Sequence, residues 1–289
     1  MTKSQSTLLP NRVVDSLRGY EGLSDALHTL TDHFSRVKGI YGILVSGSVA
    51  TGNVDEYSDL DLLVVVSYEE LQNVWQDRYD HESTVGKIFF RIDLVDVYPT
   101  SAVAFLEDGR KIHITYKAVT ELTVEAEYTS AITLLNNDSR IDDWLLKCRQ
   151  ITISYDFARL AENDRSFWFW LLQGTAKVGR GEYWAAYDTL NTLREICIEA
   201  HAALNKKPFQ SYRRIEDRWK ESDISKLSRT VPKINQGEIS KAYSMIISLY
   251  SELRKDMVKK LRLSWNIELD NIDVIKKLAD QFLNGESGV

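Results

Sequence analysis

Leu44-Val45-Ser46-Gly47-Ser48-Val49-Ala50-Thr51-Gly52, six further residues, and then Asp59-Leu60-Asp61-Leu62-Leu63-Val64-Val65-Val66 decide how this chain is read. An apolar strand ends on Gly47-Ser48, a short helix can start there, and a second strand opens on an Asp-x-Asp. Side chains alternate along a strand, so Asp59 and Asp61 share one face while Leu60 and Leu62 point into the core. Two acids on one face repel unless a cation joins them. Hard oxygen donors of this kind, left partly open, suit Mg²⁺ shared with a substrate phosphate. Gly47 lets backbone come close to a ligand, amides at a helix start aim at an anion, and Ser48 adds a hydroxyl donor. Together these residues predict a phosphate cradle beside a metal site, the minimum that phosphoryl or nucleotidyl transfer asks of a protein.

Outward from this segment the chain changes character near residue 135. Before it, short β-rich runs cover 42–45, 60–66, 87–97, 102–106 and 111–117. Asp108-Gly109 between the last two is a hairpin signal, of the turn whose central positions both take positive φ. Ala26, Leu27, Leu30, Phe34 and Val37 repeat at helical spacing behind Ser24, which is placed as an N-cap. After residue 135, apolar residues recur at helical spacing over 140–161, 165–178, 182–204, 238–262 and 271–283, with turns at Gly179-Arg180-Gly181 and around Pro208. The pattern predicts an α/β first half over 1–135 and an all-helical bundle over 136–289, α+β taken together.

Composition agrees with a globular chain of 289 residues, 44% hydrophobic and 27% charged. A net charge of -6 gives no general attraction for nucleic acid, so a polyanion would need a local site. Cys148 and Cys197 cannot build a disulfide framework or a four-ligand zinc site and read as buried thiols. No apolar run reaches membrane or secretory length, which predicts a cytoplasmic protein with no membrane partner.

Gly47-Ser48, ten residues, then Asp59-Leu60-Asp61 resembles the signature of the DNA polymerase beta-like nucleotidyltransferase superfamily, in particular its antibiotic-modifying members. Phe105 to Ile114 is similar to a hairpin of aminoglycoside 6-adenylyltransferases, and Arg180-Gly181-Glu182-Tyr183 to a segment of lincosamide nucleotidyltransferases with a C-terminal bundle. The resemblance implies a Mg²⁺-dependent enzyme that moves a nucleoside monophosphate, AMP first among them, from a nucleoside triphosphate to a hydroxyl of a small-molecule acceptor such as an aminoglycoside or lincosamide. Asp59 and Asp61 then correspond to the metal-binding carboxylates, and Gly47 and Ser48 to the phosphate loop. Nucleic acid is not expected as a partner. Some related enzymes complete their site across two chains, so a homodimer is one assembly the resemblance implies.

Family members place a third carboxylate on a later strand as general base. In this chain that position holds His113, and a neutral imidazole can take a proton near neutral pH. Asp93 and Asp96 compete for the role; three positions apart, they face opposite sides of a regular strand. For a cationic acceptor, Glu182 is the candidate ligand, in phase with the inward stripe Leu190, Leu193, Cys197, Ala200 and Leu204; a helix-dipole partner is the alternative. Trp168, Trp170, Tyr183 and Trp184 offer rings, mostly as packing.

Two other functions share this pattern. One is a nucleotidyltransferase acting on protein or RNA in a toxin–antitoxin pair, where Arg194 and His201 resemble a short motif of helical RNases. The other is a nucleotide-binding scaffold without transfer, with His113 in place of the acid.

Overall fold

The computed structural model describes residues 9–94, 100–152, 155–262 and 269–284. The chain divides between residues 152 and 153 into two compact units. The first holds α1 (Asn11–Ser16), α2 (Glu21–Phe34), β1 (Ile40–Val45), α3 (Gly47–Thr51), β2 (Leu60–Val66), α4 (Leu71–Gln76), α5 (Arg78–Ser83), β3 (Ile88–Asp93), β4 (Ser101–Leu106), β5 (Lys111–Ala118), β6 (Ile132–Asn136) and α6 (Ser139–Arg149). Its sheet runs β3-β4-β5-β2-β1-β6. Among the described residues only β2 and β5 pair in parallel; every other neighbouring pair is antiparallel. A mixed sheet followed by helices is the α+β architecture that the residue pattern predicts.

β2 is central because it is apolar on both faces. Leu60, Leu62, Val64 and Val66 join the core with Leu27, Leu30 and Phe34 of α2. Leu63 and Val65, on the other face, pack with Tyr128, Ile141, Trp144 and Leu145. A strand covered on both sides needs no polar alternation, and only its second position is open: Asp61 is the one β2 residue not buried.

Several local details differ from the sequence reading. Ser24 lies inside α2, whose N-cap is Tyr20 with no side-chain cap bond; Glu21 carries the helix back by a turn and favours its positive end. The β4–β5 hairpin has a three-residue loop. Gly109 alone takes positive φ (88°), and its N–H donates to Leu106 O at 2.9 Å. That is a type I turn closed by a glycine bulge, in place of a two-residue turn. β3 stops at Asp93; residues 95–99 lie outside the described ones.

The unit boundary falls at 152/153 and not at 135/136, for a physical reason. β6 pairs with β1 along Gly42 to Val45, and α6 buries Ile141, Trp144, Leu145 and Cys148 against the face of the sheet that carries Leu63. Both elements therefore finish the first unit.

The second unit contains α7 (Phe157–Gly179), α8 (Tyr183–Leu204), α9 (Ile215–Arg218), α10 (Glu221–Ser228), α11 (Gln236–Leu261) and α12 (Leu269–Leu283). The helix expected over 140–161 is broken. Asp138 caps α6, and Asp156 restarts the chain by accepting from Ala158 and Arg159 N–H. Conversely, the break expected after residue 161 is absent. Asp164, mid-helix, is drawn inward by Arg254 Nε at 2.8 Å and Tyr250 Oη at 3.0 Å. Ile239, Ala242, Tyr243, Ile246, Tyr250, Leu253 and Met257 of α11 are buried at the expected spacing, as are Leu190, Leu193, Cys197 and Ala200 of α8. Both cysteines are free and buried. No described helix is long and apolar enough to cross a membrane.

Candidate active site

The antiparallel pairing of β1 and β2 delivers the cradle to the acid. Val45 pairs with Leu62, and the next link is Ser46 N–H donating to the Asp61 carbonyl at 2.9 Å. The chain therefore turns into α3 directly beside the Asp61 side chain. It does so at Gly47, with φ of 62°. A Cβ on Gly47 would stand 2.0 Å from Asp61 Oδ2. Glycine is required there twice, by backbone conformation and by the space the carboxylate occupies. Beside it, Ser48 Oγ is buried without a hydrogen-bond partner. An unpaired buried hydroxyl costs about 1–3 kcal/mol, which an incoming phosphate oxygen would remove. α3 spans five residues, so its dipole adds little, and the close backbone approach and the hydroxyl define the cradle.

The parallel register of β2 and β5 sets the other side. Asp61 is the direct partner of His113, and Leu60 of Ile112. His113 Nδ1 lies 3.2 Å from Asp61 Oδ1, and Lys111 Nζ lies 2.6 Å from Asp59 Oδ2. Lys111 and His113 alternate with buried Ile112 and so share a face of β5. Their two aspartate partners follow them to that same face. Upstream, Asp55 Oδ1 accepts from Tyr57 N–H and Ser58 Oγ, holding the turn that feeds Asp59 into β2.

His113 is fixed from both ends. Its Nε2 lies 2.7 Å from Ser101 Oγ of β4, which in turn lies 2.9 Å from Thr115 Oγ1. An ionised carboxylate only accepts, so Nδ1 donates toward Asp61, and in a neutral ring Nε2 then accepts from the Ser101 hydroxyl. The arrangement is the one that orients a ligating carboxylate from behind.

The remaining candidates fall elsewhere. Asp93 ends edge strand β3 and is bound by Arg78 at 2.7 Å and by Arg91. The Arg78 bond, with Arg91 adding to it, holds its carboxyl below the usual range against some opposition from burial. Asp93 is thus a structural ion-pair acid. Asp96 lies outside the described residues. Glu182 belongs to the second unit and faces out: it precedes α8, where helical phase no longer applies, and pairs with Arg180 at 2.8 Å. Arg194 is buried and donates to the Thr230 carbonyl at 2.6 Å, so it serves packing and is not free to act with His201. Trp168 is core, whereas Trp184 is exposed.

Lys111 and Ser101 escaped sequence reasoning, and so did Glu127. Glu127 sits on a 3₁₀ turn (Ala126–Tyr128) whose Tyr128 packs on the Leu63 face of the sheet. Protein crowding around its carboxyl raises its pKa; Glu125 and Asp61 push the same way, while His113 and Lys117 oppose. It is therefore a further carboxylate in the electrostatic field of the Asp61–His113 pair. Glu125 beside it is itself tied to Lys117 at 2.6 Å. No periodicity marks a short turn of this kind.

The donors fit a phosphate-bound divalent cation. Asp59 and Asp61 supply hard oxygens, and Gly47 and Ser48 leave room and a hydroxyl for phosphate. Among the described residues no three His, Cys, Asp or Glu side chains form a self-sufficient metal cluster, so phosphate and water would complete the coordination, as Mg²⁺ prefers.

Residues 29–117 match the family model for the nucleotidyltransferase domain, a span that contains Gly47, Ser48, Asp59, Asp61 and His113. This segment is a nucleotidyltransferase domain. The enzyme class follows from the domain: nucleotidyl transfer. The chain is similar to the crystal structure of an aminoglycoside 6-adenyltransferase from Bacillus subtilis, at 16% identity and a TM-score of 0.44, over 90% of this chain and 97% of that one. It is also similar to a nucleotidyltransferase-like protein from Exiguobacterium sibiricum 255-15, at 12% identity and a TM-score of 0.39, over 82% and 76% of the two chains. No curated protein matches it in sequence.

Proposed function

We propose that this nucleotidyltransferase moves a nucleoside monophosphate, AMP first among candidates, from a triphosphate to a hydroxyl of a small molecule of the aminoglycoside or lincosamide type. The observation that carries the reading is the contact at Gly47, where a bare backbone meets the Asp61 carboxylate and the unpaired Ser48 hydroxyl. Gly47 and Ser48 would receive the donor's phosphates. Asp59 and Asp61 would hold Mg²⁺, which when bound neutralises phosphate charge. Lys111, now on Asp59, is placed to turn toward a phosphate oxygen once the cation takes its position.

His113 is the proposed proton acceptor. For this the ring would turn off Ser101, which keeps Thr115 as a partner, and present the Nε2 lone pair to the acceptor hydroxyl. The acceptor oxygen then bonds to the α-phosphorus, the bond to the bridging oxygen breaks, and pyrophosphate leaves. The imidazolium so formed is stabilised by Asp61 on its other nitrogen. Glu127 is the second reading for the proton acceptor, supported by its raised pKa beside the same pair.

The test is incubation of the purified chain with Mg²⁺, single nucleoside triphosphates and streptomycin, kanamycin or lincomycin, with product mass and pyrophosphate release measured. An acceptor that gains one nucleotidyl group supports the proposal. Transfer to protein or RNA alone, or triphosphate binding with no transfer, rejects it in favour of the toxin-type or scaffold function.

A further inference from the structure

The helical unit holds an open cavity of about 460 Å³ between the end of α8, the α9–α10 turn and the second half of α11, a size typical of small-ligand sites. Its charge is opposite to that of the chain. Six cations line it, four of them Lys207, Arg218, Lys220 and Lys255, against three acids, in a protein of net charge -6. The acids are already engaged. Glu252 takes Lys226 at 2.6 Å, Asp256 takes Lys260 at 2.9 Å, and Asp223 faces His201 at 3.3 Å. The four cations named first have no carboxylate partner among the described residues. Lys207 donates to the Arg218 carbonyl and Arg218 to the Ser211 carbonyl, contacts that leave both charges uncompensated. Arg218 Nε is in addition buried with no acceptor. The wall is rigid at that point, since Trp219 lies against the His201 ring with centroids 3.8 Å apart.

From this cluster we infer that the helical unit carries a second ligand site, separate from the nucleotidyltransferase residues, for a small molecule with a di- or triphosphate group. Four like charges around one cavity repel, and an anion of comparable charge removes that repulsion while supplying acceptors for Arg218 and the lysines. A polycationic acceptor is disfavoured in the same place. Inorganic pyrophosphate and the triphosphate tail of a nucleotide share this chemistry. The inference stands independently of the acceptor proposed above.

The experiment is calorimetric titration of the full chain in EDTA with inorganic pyrophosphate, with a nucleoside triphosphate and with a short oligoribonucleotide. Wild type is compared with the double variant Lys220→Glu/Lys255→Glu. Both side chains are exposed, and unchanged melting confirms the fold. The expected result is pyrophosphate binding that weakens with salt and falls by about tenfold or more in the double variant. Triphosphate binding with the same dependence identifies the nucleotide as a source; its absence beside pyrophosphate binding identifies the inorganic ion. Equal affinity in both proteins, or no pyrophosphate binding to wild type, overturns the inference. So does an oligoribonucleotide that binds through these lysines while pyrophosphate does not.

Discussion

Asp61 and His113 are register partners across the one parallel strand pair of the sheet, and their side chains meet at 3.2 Å. A carboxylate and an imidazole so placed act as one unit. Replacing His113 by Ala should cut transfer by about 10²-fold or more, and Ser101→Ala by about tenfold through loss of ring orientation. The measurement is the pH–rate profile of each variant. If His113→Ala keeps the wild-type profile while Glu127→Gln changes it, the proton goes to Glu127.

Asp59 and Asp61 differ in surroundings but should both be indispensable. Asp59→Ala or Asp61→Ala is expected to reduce transfer by at least about 10²-fold without loss of the folded circular dichroism spectrum. Wild-type turnover in either variant would remove it from metal binding.

Two glycines with positive φ should respond differently. Gly47→Ala places a methyl 2.0 Å from Asp61 Oδ2, so triphosphate affinity and rate should both collapse. Gly109 has nothing near its missing Cβ; Gly109→Ala should cost about 1–2 kcal/mol of left-handed backbone strain and spare activity. Paired melting and turnover measurements check this contrast, and equal activity loss in both variants contradicts it.

Acidification should loosen the first unit through His33 and His81, whose rings meet at 2.8 Å. Burial holds both below the ordinary 6.5, with Arg36 adding to the effect at His33 and His33 itself at His81. The unfolded chain therefore takes up protons first. The stability these rings contribute is complete above about pH 6.5 and declines as pH falls toward their lower folded values. Melting temperature followed from pH 7.5 to 5.5 should drop, and His81→Gln should flatten the slope. An equally steep slope in the variant sinks the assignment.

In the helical unit, Asp164 accepts from buried Arg254, from Tyr250 and, at 3.3 Å, from Trp168. Asp164→Ala takes a carboxylate from buried Arg254 and an acceptor from Tyr250 and Trp168, and should cost about 3–5 kcal/mol. Chemical denaturation of the full chain, followed by tryptophan fluorescence, measures it; a loss under 1 kcal/mol would mean that the pair contributes little net stability.

How much of this was legible depended on whether the cause was local. Leu62–Val66 announced a strand because an unbroken apolar run after two acids has few other folds, and Asp108-Gly109 announced the hairpin through the conformation glycine allows. β6 escaped notice because Ile132–Asn136 is short, edges the sheet and is fixed only by pairing with β1. Glu182 was misplaced because helical phase was extended one residue past the start of α8. Ser101 meets His113 only once β4 has paired with β5. Lys220 and Lys255 come from separate elements and form no run of charge, so their shared cavity had no signature in the sequence.

The parallel β2–β5 pairing also has a consequence for biosynthesis. Asp61 and His113 are 52 positions apart, so a nascent polypeptide emerges with its two acids and its cradle long before the strand that completes them. Until Lys111–Ala118 leaves the ribosome, β2 has an open flank and Asp61 no imidazole. Contacts of such long range form slowly, so catalytic competence should be acquired late, as one of the last gains of the maturing domain.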